Sequence, residues 1–508
     1  MSDLCSAITF PALRAEPCSF SFDTVKDVQA VSSVLSENRA HRLSELMRQA
    51  WIPGMSVAAI VDGQLAWMEA LGVTNVESGE RVTEGTIFDA ASLSKPLFAY
   101  IVLRLAERGE FDLDRPLHEI LPYARLEHDP RYRLLTARIV LSHRTGLPNW
   151  GDEGEPLELL FNPGERFQYS GEGFVYLQKV IEAATGMSLE DLARKEVFEP
   201  LKMVNSHYDW LHGEEVKAAS GHSETGHVRP KTIPHEANAA ASLHTTASDY
   251  ARFIMAWLHS SEGMKKAFHP VVSVSSGEPT DVESKVFWGL GIGVQKTDQG
   301  TVAFQWGDNG NFKAFLAIDP HAFSAIVYFT NSANGLAIGR EVVPEVVGDM
   351  GETFDWLRYK PFSTPGWTEW HRGLAAEECG EYGEAIMHFR GALDVAATPS
   401  EKIIIQNRIA LLIDLKHMKE IPLDVPERVL QQYVGRYGPI RLTLEDGKLR
   451  RHWKNELNGH DLIPLTEDTF LFQEAMERIQ IFTEDGTAKK IETHRLNGEI
   501  KREWRCQS

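Results

Sequence analysis

The sequence predicts an α+β protein whose larger domain combines one antiparallel sheet with a helical lobe. Apolar segments typical of strands occur at 56–71 and again at 286–330, whereas residues 92–260 have mostly helical spacing. Strands at both ends of a domain favour one sheet with the helices as an insertion. Beyond about residue 430 the pattern becomes all-β, which predicts a separate C-terminal domain.

The first strands form a predicted hairpin. The segments "SVAAIV" and "LAWMEAL" flank Asp62 and Gly63, and Asp-Gly between two apolar segments is a strong signal for a two-residue turn. A helix that begins near His41 precedes the hairpin. We expect residues 1–38 to be an irregular N-terminal extension.

Helices with polar caps, such as "SLEDLARKEVFEPL" and "ASDYARFIMAWLH", fill the middle of this domain. Its closing strands are predicted at "VFWGLGIGVQ", "VAFQWG", "FKAFLAID" and "SAIVYFT". We therefore expect the sheet-containing domain to span residues 39–357.

The sequence pattern changes near residue 358, from strands to turn-forming residues followed by short helices. The segment "RYKPFSTPGW" is rich in turn-forming residues, and "GLAAEECGEYGEAIMHFRGALDVA" predicts two short helices broken at Gly380. The pair resembles one tetratricopeptide-like unit in a helical linker at 358–425. A single unit cannot bury its own face, so we expect a spacer and no binding array.

Residues 426–508 are predicted to form a small β-barrel that resembles lipocalins. Alternating strands such as "IRLTLE" and "IQIFTE" are separated by turn pairs. These pairs are Asp446-Gly447, Asn458-Gly459, Asp485-Gly486 and Asn497-Gly498. A regular meander of this kind can curl into a barrel.

Composition excludes several classes of partner. The chain has 508 residues, with 52 lysines and arginines against 72 aspartates and glutamates, for a net charge of −20. Phosphate binding needs a basic surface, so we expect no nucleic-acid partner. No apolar segment is long enough to span a bilayer. The N-terminus lacks a basic segment followed by an apolar one, so we expect a cytoplasmic protein, with a periplasmic location left open.

Neither disulfides nor a metal site are expected. The four cysteines lack metal-ligand spacing and are too few to staple so long a chain, so we expect free thiols: Cys5, Cys18, Cys379 and Cys506. One polar segment holds His222, His227, His235 and Glu236. It lacks the spacing of a His-Glu-x-x-His site, so we expect a loop near the mouth of the site and no cofactor.

A candidate nucleophile lies at the start of the first long helix of the lobe. The segment "AASLSKPLFAY", residues 90–100, places Ser92 three residues before Lys95. Proline is tolerated only in the first turn of a helix, so Pro96 fixes the helix start beside Ser92. Residues three apart share a helix face, and the serine lies at the positive end of the helix dipole. An ordinary helix cap followed by an exposed lysine explains the same residues equally well.

A serine nucleophile also needs a base. Lysine has an unperturbed pKa of roughly 10.4 and acts as a base only where burial or positive neighbours lower its pKa. Enzymes with a serine–lysine pair often add a tyrosine that relays the proton. Tyr169, in "PGERFQYSGEGF", is the candidate downstream.

Landmark segments follow one another in a defined order between residues 40 and 335. They are "IPGMSVAAIVDGQ", "TIFDAASLSKP", "IVLSHRTGLPNW", "PGERFQYSGEGF", "AAASLHTTASDYARF", "FWGLGIGV" and "FQWGDNGNFKAF". Together they resemble the serine β-lactamase and penicillin-binding-protein-like family, in the branch of class C β-lactamases, family VIII esterases, D-aminopeptidases and DD-carboxypeptidases. The resemblance implies a β-lactamase/DD-peptidase-like catalytic domain that acts as a serine hydrolase.

The same resemblance implies roles for three residues. Ser92 would be the acylated nucleophile, Lys95 its base partner and Tyr169 the proton relay. The proposed reaction is a two-step acyl transfer. Tyr169 protonates the leaving group, and a water molecule then hydrolyses the acyl-enzyme.

The third motif of the family is Lys-Thr-Gly or His-x-Gly on the strand beside the nucleophile. Gln305, Trp306 and Gly307 match it best, and a register at residues 308–310 is the alternative. The oxyanion hole would then consist of the backbone N–H groups of Ser92 and Asp308.

Two positions depart from the family pattern. Gly171 stands where the family has an asparagine that helps to hold a substrate amide. Gln305 stands where the family often has a cation that receives a substrate carboxylate. We assign Gly171, Gln305, Trp306 and Gly307 to substrate binding, and both departures favour carboxylesterase-type action on a neutral ester.

Two alternatives stay open. The first is a D-amino-acid-specific peptidase or amidase, or a β-lactamase-like enzyme, since some relatives use a barrel-like tail to shape the cleft. The second is a sensor or scaffold that binds an acyl or peptidoglycan-like ligand without turnover, which the changes at Gly171 and Gln305 favour. The expected partner is a small ester, amide or peptide, and the sequence leaves a homo-oligomer open.

Four further side chains are expected near the site. We expect His143, in "LSHRTGL", to be a structural hydrogen-bonding residue and not a base. Trp288, Trp306 and Phe312 are candidates for an apolar acyl pocket, with core packing as the simpler role for each.

Overall fold

The computed structural model describes residues 27–506, with side chains from Glu37 onwards, except 153, 211–216, 231–232, 235, 276–279, 281, 421–422 and 454–458. The chain divides into two compact units, one ending at Phe362 and the other beginning at Ser363. Most of the expected extension at 1–38 lies outside the described residues, as do Cys5, Cys18 and Asn458. Its described part is helical and not irregular, because the helix expected to begin near His41 begins at Asp27. The four-part division stays a prediction.

The first unit alternates between strands and helices in the predicted order. Its helices α1 to α11 are Asp27–Gln49, Ser94–Glu107, Ala137–Leu141, Gly171–Thr185, Leu189–Ala193, Glu199–Leu201, Ala247–Leu258, Glu262–Lys265, Gly339–Val342, Pro344–Val347 and Gly351–Leu357. Its strands β1 to β10 are Gly54–Val61, Gln64–Gly72, Phe88–Asp89, His244–Thr245, Val272–Ser273, Val286–Trp288, Gly293–Thr297, Gly300–Asp308, Lys313–Asp319 and Ser324–Thr330. A short 3-10 helix, Ala91–Leu93, leads directly into α2.

One antiparallel sheet organises this unit, in the order β2-β1-β10-β9-β8-β7-β6-β5. Strand β1 pairs with β10, so that Met55 lies opposite Thr330. The sheet therefore draws strands from both ends of the unit, as predicted. Asp62 and Gly63 both have positive φ, 51° and 72°, which is the geometry of the predicted hairpin turn.

The sheet is buried on both faces. One face packs on the helical lobe through Ala58 and Ile60 of β1. The other face packs on α1 and the helices after β10, through Met55 and Val57. Helix α2 is buried along most of its length in the lobe. Its first turn is therefore held between the lobe and the sheet.

One predicted strand is in fact two. The segment "VFWGLGIGVQ" divides into β6 and β7, with a turn at residues 289–292. Gly291 has a φ of +85°, and a Cβ there would collide with Ala99 of α2. The chain turns at this point because α2 passes close beside it.

The second unit begins with helices α12 to α15 and continues with strands β11 to β19. The helices are Trp367–Glu378, Tyr382–Asp394, Pro399–Glu420 and Glu427–Tyr433. The strands are Gly435–Tyr437, Ile440–Glu445, Lys448–Trp453, His460–Asp461, Ile463–Pro464, Thr469–Phe472, Glu477–Glu484, Thr487–His494 and Ile500–Trp504. The chain breaks between α12 and α13 at Gly380, as predicted, and the two helices pack closely where Gly373 faces Phe389.

Over the residues that the structure describes, the strands of the second unit form two sheets and do not close into the predicted barrel, although an isolated bridge joins Tyr437 to Arg505. Those described form a four-stranded sheet, β11-β12-β13-β14, and a five-stranded sheet, β15 to β19. The strands at the boundary, β14 and β15, have two residues each, and Pro464 has no N–H group to extend a ladder. The resemblance to lipocalins stays a prediction.

The cysteines differ from expectation. Cys379, which caps α12, is disulfide-bonded, whereas Cys506 is a free and exposed thiol. The prediction of free thiols is thus wrong for Cys379. Of the helices that the structure describes, none is long and apolar enough to cross a membrane.

Candidate active site

Ser92 lies in the middle of the 3-10 helix, at the N-terminal end of α2. The preceding residue, Ala91, has a φ of 48°, a left-handed conformation that costs a non-glycine residue about 1 kcal/mol or more. Its N–H group donates to Asp89 Oδ1 at 2.8 Å. Ser94 donates to Ala91 O at 2.5 Å and accepts from Leu243 N at 2.9 Å. These bonds hold the strained turn that presents Ser92.

Lys95 is fully buried directly behind the serine. Its Nζ lies 3.0 Å from Ser92 Oγ and donates to Ala240 O at 2.8 Å. Burial lowers the pKa of Lys95 from 10.5 to about 7. A large share of the lysine is therefore neutral near pH 7, the form that can accept a proton.

The hydroxyl of Tyr169 completes a hydrogen-bonded chain with Ser92 and Gln305. It bonds to the Ser92 side chain and accepts from Gln305 Nε2 at 3.1 Å. Burial raises the pKa of Tyr169 further than these two bonds lower it. Lys95 Nζ lies 4.8 Å from the centre of the Tyr169 ring. Tyr169 is thus a phenol under conditions in which Lys95 is neutral, and it can donate a proton.

His143 supports Tyr169 from behind. Its ring stacks on that of Tyr169 with 4.3 Å between centres, and its Nδ1 accepts from Ser170 N at 3.0 Å. Burial, together with the charge of Lys95, holds the pKa of His143 well below its usual value. The imidazole is therefore neutral and held in place, in the structural position expected for it.

Strand β8 runs beside the nucleophile turn. A Cβ at Gly307 would lie 2.6 Å from Ala90 O and 3.2 Å from Ala91 Cβ. Only a glycine lets the strand approach the turn this closely. The strand beside the nucleophile turn thus carries Gln305, Trp306 and Gly307, whereas residues 309–310 of the alternative register lie in the turn after it.

The side chain of Gln305 is directed at Tyr169, and its assignment to substrate binding stays a prediction. Its side chain is fully buried, and its Nε2 donates to the Tyr169 hydroxyl and to Trp306 O. Trp306 is half-buried, with its ring centre 4.9 Å from that of Tyr169.

Asp308 ends β8 opposite Lys313 of β9. Its carboxylate pairs with Lys313, and it accepts from Tyr359 Oη at 2.6 Å and from Gly310 N at 2.9 Å. Burial acts to raise the pKa of Asp308, but Lys313 and these donors outweigh burial and lower it. The lysine next to the site is therefore already engaged by a carboxylate.

Two residues at the site, Asp89 and Asn309, were given no role of their own by the sequence analysis, although Asn309 lies within the alternative register 308–310. Asn309 Nδ2 donates to both carboxylate oxygens of Asp89 at 3.0 Å and to Ala241 O at 3.2 Å. Burial raises the pKa of Asp89, against the opposing effect of His244 and of its hydrogen bonds. Since Asp89 also holds Ala91 N, the pair ties the turn after β8 to the nucleophile turn. No local pattern marks either residue.

Trp150 is a third residue that the sequence analysis missed. A Cβ at Gly171 would lie 2.6 Å from the indole of Trp150. The space that a larger side chain at position 171 would need is thus filled by a tryptophan.

A cleft of about 400 Å³ opens beside Asp89 and Asn309. Its walls include Trp210, Pro230, Glu236 and Phe312. Among the three aromatic residues expected to line an acyl pocket, Phe312 lines this cleft. Trp288 is fully buried among other aromatic rings, which makes it a core residue.

The polar segment after residue 220 is partly described. His222 is buried between Asn331 O and Val76 N, and His227 Nδ1 bonds to Thr225 Oγ1. His235 lies outside the described residues. Within the part of the chain that the structure covers, no three histidine, cysteine or acidic side chains are grouped as a metal site.

An antiparallel sheet with an inserted helical lobe, and a serine, lysine and tyrosine where the two meet, define the class of proteins with the β-lactamase/DD-peptidase fold. Residues 40–343 match the Beta-lactamase family, and the chain belongs to this family of serine β-lactamase and penicillin-binding-protein-like hydrolases.

Relatives of known sequence are distant. The chain is 24% identical over 343 residues to Penicillin-binding protein 4 of Amycolatopsis lactamdurans, covering 61% of this chain and 88% of the relative. It is 21% identical over 342 residues to Protein flp of Staphylococcus aureus (strain N315), covering 63% of this chain. The match spans 66% of the length of Protein flp, slightly less than two thirds.

Solved structures share the fold. A D-alanine carboxypeptidase AmpC from Burkholderia cenocepacia superposes with a TM-score of 0.52 at 19% identity, covering 59% of this chain and 95% of that one. A class C β-lactamase superposes with a TM-score of 0.51 at 20% identity, and the match covers 57% of this chain and 89% of the β-lactamase.

Proposed function

We propose that the protein is a serine hydrolase of carboxylesterase type, which cleaves neutral esters through an acyl-enzyme on Ser92. The observation that carries the proposal is the position of Gln305. Its amide is buried on the Tyr169 hydroxyl, and the neighbouring Lys313 is paired with Asp308. Neither group is free to receive a substrate carboxylate, so an uncharged substrate fits the site best.

Acylation uses the hydrogen-bonded chain described above. Neutral Lys95 takes the Ser92 proton as Oγ attacks the carbonyl carbon and the carbonyl electrons move onto oxygen. The N–H groups of Ser92 and Asp308 are proposed to hold this oxyanion, an interaction worth about 3–4 kcal/mol for each donor. When the ester C–O bond breaks, Tyr169 gives its proton to the leaving alkoxide and regains one from Lys95.

Deacylation repeats the steps of acylation with water as the nucleophile. Water attacks the acyl carbonyl and passes a proton through Tyr169 to neutral Lys95, and the proton returns to Ser92 Oγ as the acid leaves. Because Lys95 and Tyr169 exchange protons, the two groups titrate as a coupled pair.

A panel of substrates tests the proposal. We expect kcat/KM for p-nitrophenyl butyrate to exceed that for a penicillin by roughly 10- to 150-fold, because the penicillin carboxylate would go unpaired and a hydrogen bond to a charged group is worth about 1.5–3 kcal/mol. It should also exceed kcat/KM for D-alanyl p-nitroanilide. Intact-mass spectrometry during turnover should show a butyryl adduct on Ser92. Higher kcat/KM on the D-amino-acid substrate would contradict the ester assignment.

The rate should depend on pH through Lys95. Since the neutral amine is the active form and its pKa is about 7, we expect kcat/KM to rise tenfold per pH unit below pH 7 and to level off above it. Any alkaline decline should lie above 10.0, the ordinary pKa of tyrosine, since burial raises the pKa of Tyr169. Steady-state rates from pH 5 to 10 measure this profile, and a midpoint near 10 would show that Lys95 is not desolvated.

A D-amino-acid amidase is the second candidate. One relative carries the name Penicillin-binding protein 4. The cleft beside the nucleophile turn also has Glu236 on its wall, a carboxylate that could pair with a substrate ammonium group. The same substrate panel separates the two candidates.

A further inference from the structure

Trp150 is an exposed tryptophan beside the reacting groups. Its side chain is 49% exposed, and the centre of its ring lies 6.0 Å from Lys95 Nζ. Trp288, by contrast, is fully buried. A tryptophan left half in solvent exposes a large apolar surface that is free to contact a bound molecule.

The backbone that carries Trp150 is anchored on both sides. On one side, Gly171 N donates to both the carbonyl and the side-chain oxygen of Asn149 at 3.0 Å. On the other side, Gly151 N donates to Glu172 Oε1 at 2.9 Å, and Glu172 pairs with Arg125 at 3.0 Å. Trp150 is therefore held at a fixed place above the first turn of α4.

Gly171 provides the room for the indole. A Cβ at this position would lie 2.6–2.8 Å from three ring carbons of Trp150. Gly171 is the first residue of α4, and its φ is not positive, so the backbone conformation does not demand glycine there. Glycine is required there for steric reasons, since the indole of Trp150 lies directly against the helix.

We infer that Trp150 is a specificity-determining residue whose exposed face forms an apolar wall for the acyl group of the substrate. The ligand class is an alkyl or aryl group attached to the scissile carbonyl of a neutral ester. Such a group would bury apolar surface against the indole and leave no charge unpaired. The inference rests on the proposed function for the chemistry of Ser92.

Alkyl fluorophosphonates test the inference without requiring turnover. Ser92 Oγ displaces fluoride from phosphorus, and the alkyl chain stays on the enzyme where an acyl group would lie. We expect wild-type protein to react roughly tenfold or more faster with a decyl than with an ethyl reagent, since each buried CH₂ contributes a several-fold gain. In Trp150→Ala the ratio of the decyl to the ethyl labelling rate should fall by roughly five- to tenfold, and the labelling rate with the ethyl reagent should change less than about twofold.

Two variants act as controls. Leu160→Ala removes another exposed apolar side chain (60% exposed) from the same unit and should keep the wild-type ratio. Trp150→Phe should restore most of the ratio because it keeps an aromatic face. An unchanged ratio in Trp150→Ala would overturn the inference, and so would an equal loss of both rates, which indicates a structural role.

The two proposals fail in different ways. If wild-type protein shows a chain-length preference in labelling that Trp150→Ala loses, but cleaves no ester, the ester function is wrong and the role of Trp150 holds. If it cleaves esters and labels without chain-length preference, the ester function holds and the role of Trp150 is wrong.

Discussion

Replacing Ser92 with alanine should abolish ester hydrolysis and leave the fold intact. Oγ is the atom that we propose forms the covalent intermediate, so we expect kcat to fall on the order of 10⁶-fold, as in serine hydrolases that lose their nucleophile. Lys95 keeps its hydrogen bond to Ala240 O, so the free energy of unfolding should change by less than about 1 kcal/mol. Steady-state rates with p-nitrophenyl butyrate and thermal unfolding measure both quantities.

Ser94 offers a matched control, because it lies one residue from Lys95. Its hydroxyl joins Ala91 O to Leu243 N and does not contact the lysine amine in the described hydrogen bonds. Ser94→Ala would leave the buried Leu243 N–H unpaired, at a cost of about 1–3 kcal/mol in stability, with kcat within roughly tenfold of wild type. If Ser94→Ala is inactive and Ser92→Ala retains turnover, the nucleophile is misassigned.

Sequence patterns predict those parts of the fold that depend on neighbouring residues. The Asp62-Gly63 turn, the start of α2 near Pro96 and the break at Gly380 all follow from local conformational preferences. A single sheet with strands from both ends of the unit followed from the distribution of strands along the chain, although the order of the strands did not. The division of "VFWGLGIGVQ" into β6 and β7 did not, because it depends on a contact between Gly291 and Ala99, about 190 residues apart.

In the candidate site, too, sequence patterns predict the local features and miss the long-range contacts. Ser92, Lys95 and Tyr169 stood out because their residue types and spacing carry a recognisable chemistry. The hydrogen bond between Asn309 and Asp89 joins residues 220 positions apart, and no sequence pattern predicts a contact over that distance. The inward orientation of Gln305 likewise becomes visible only once β8 is placed beside Tyr169.

The two departures from the family pattern acquire a physical meaning in the structure. From the sequence, Gly171 and Gln305 look like losses of substrate-binding groups. In the fold, Gly171 makes room for Trp150, and Gln305 holds the hydroxyl of Tyr169. At both positions a contact within the protein stands where the resemblance implies a polar contact to substrate, which supports the proposal of a neutral ester.

Lys95→Met should inactivate the enzyme and stabilise the fold at the same time. Loss of the base should lower kcat by about 10²–10⁴-fold. Burial holds the pKa of Lys95 near 7 against an ordinary 10.5, so keeping this lysine inside the protein costs about 4–5 kcal/mol at pH 7. Methionine carries no such cost, but it leaves Ala240 O without its donor, at about 1–3 kcal/mol. The net gain in the free energy of unfolding should be about 2 kcal/mol at pH 7.

The pH dependence of this gain identifies its cause. Because the folded-state pKa of Lys95 is lowered, the unfolded chain binds the extra proton between about pH 7 and 10.5, and wild-type stability rises with pH over that window. The advantage of Lys95→Met should therefore be full below pH 7, fall as the pH rises, and turn into a net loss before pH 10.5, because the unpaired Ala240 O costs the same at every pH. Denaturation at pH 7 and pH 9.5 measures the change, with Lys179→Met, an exposed lysine of α4, as the matched control. A gain that is the same at both pH values would mean that hydrophobic packing, and not the desolvated amine, accounts for it.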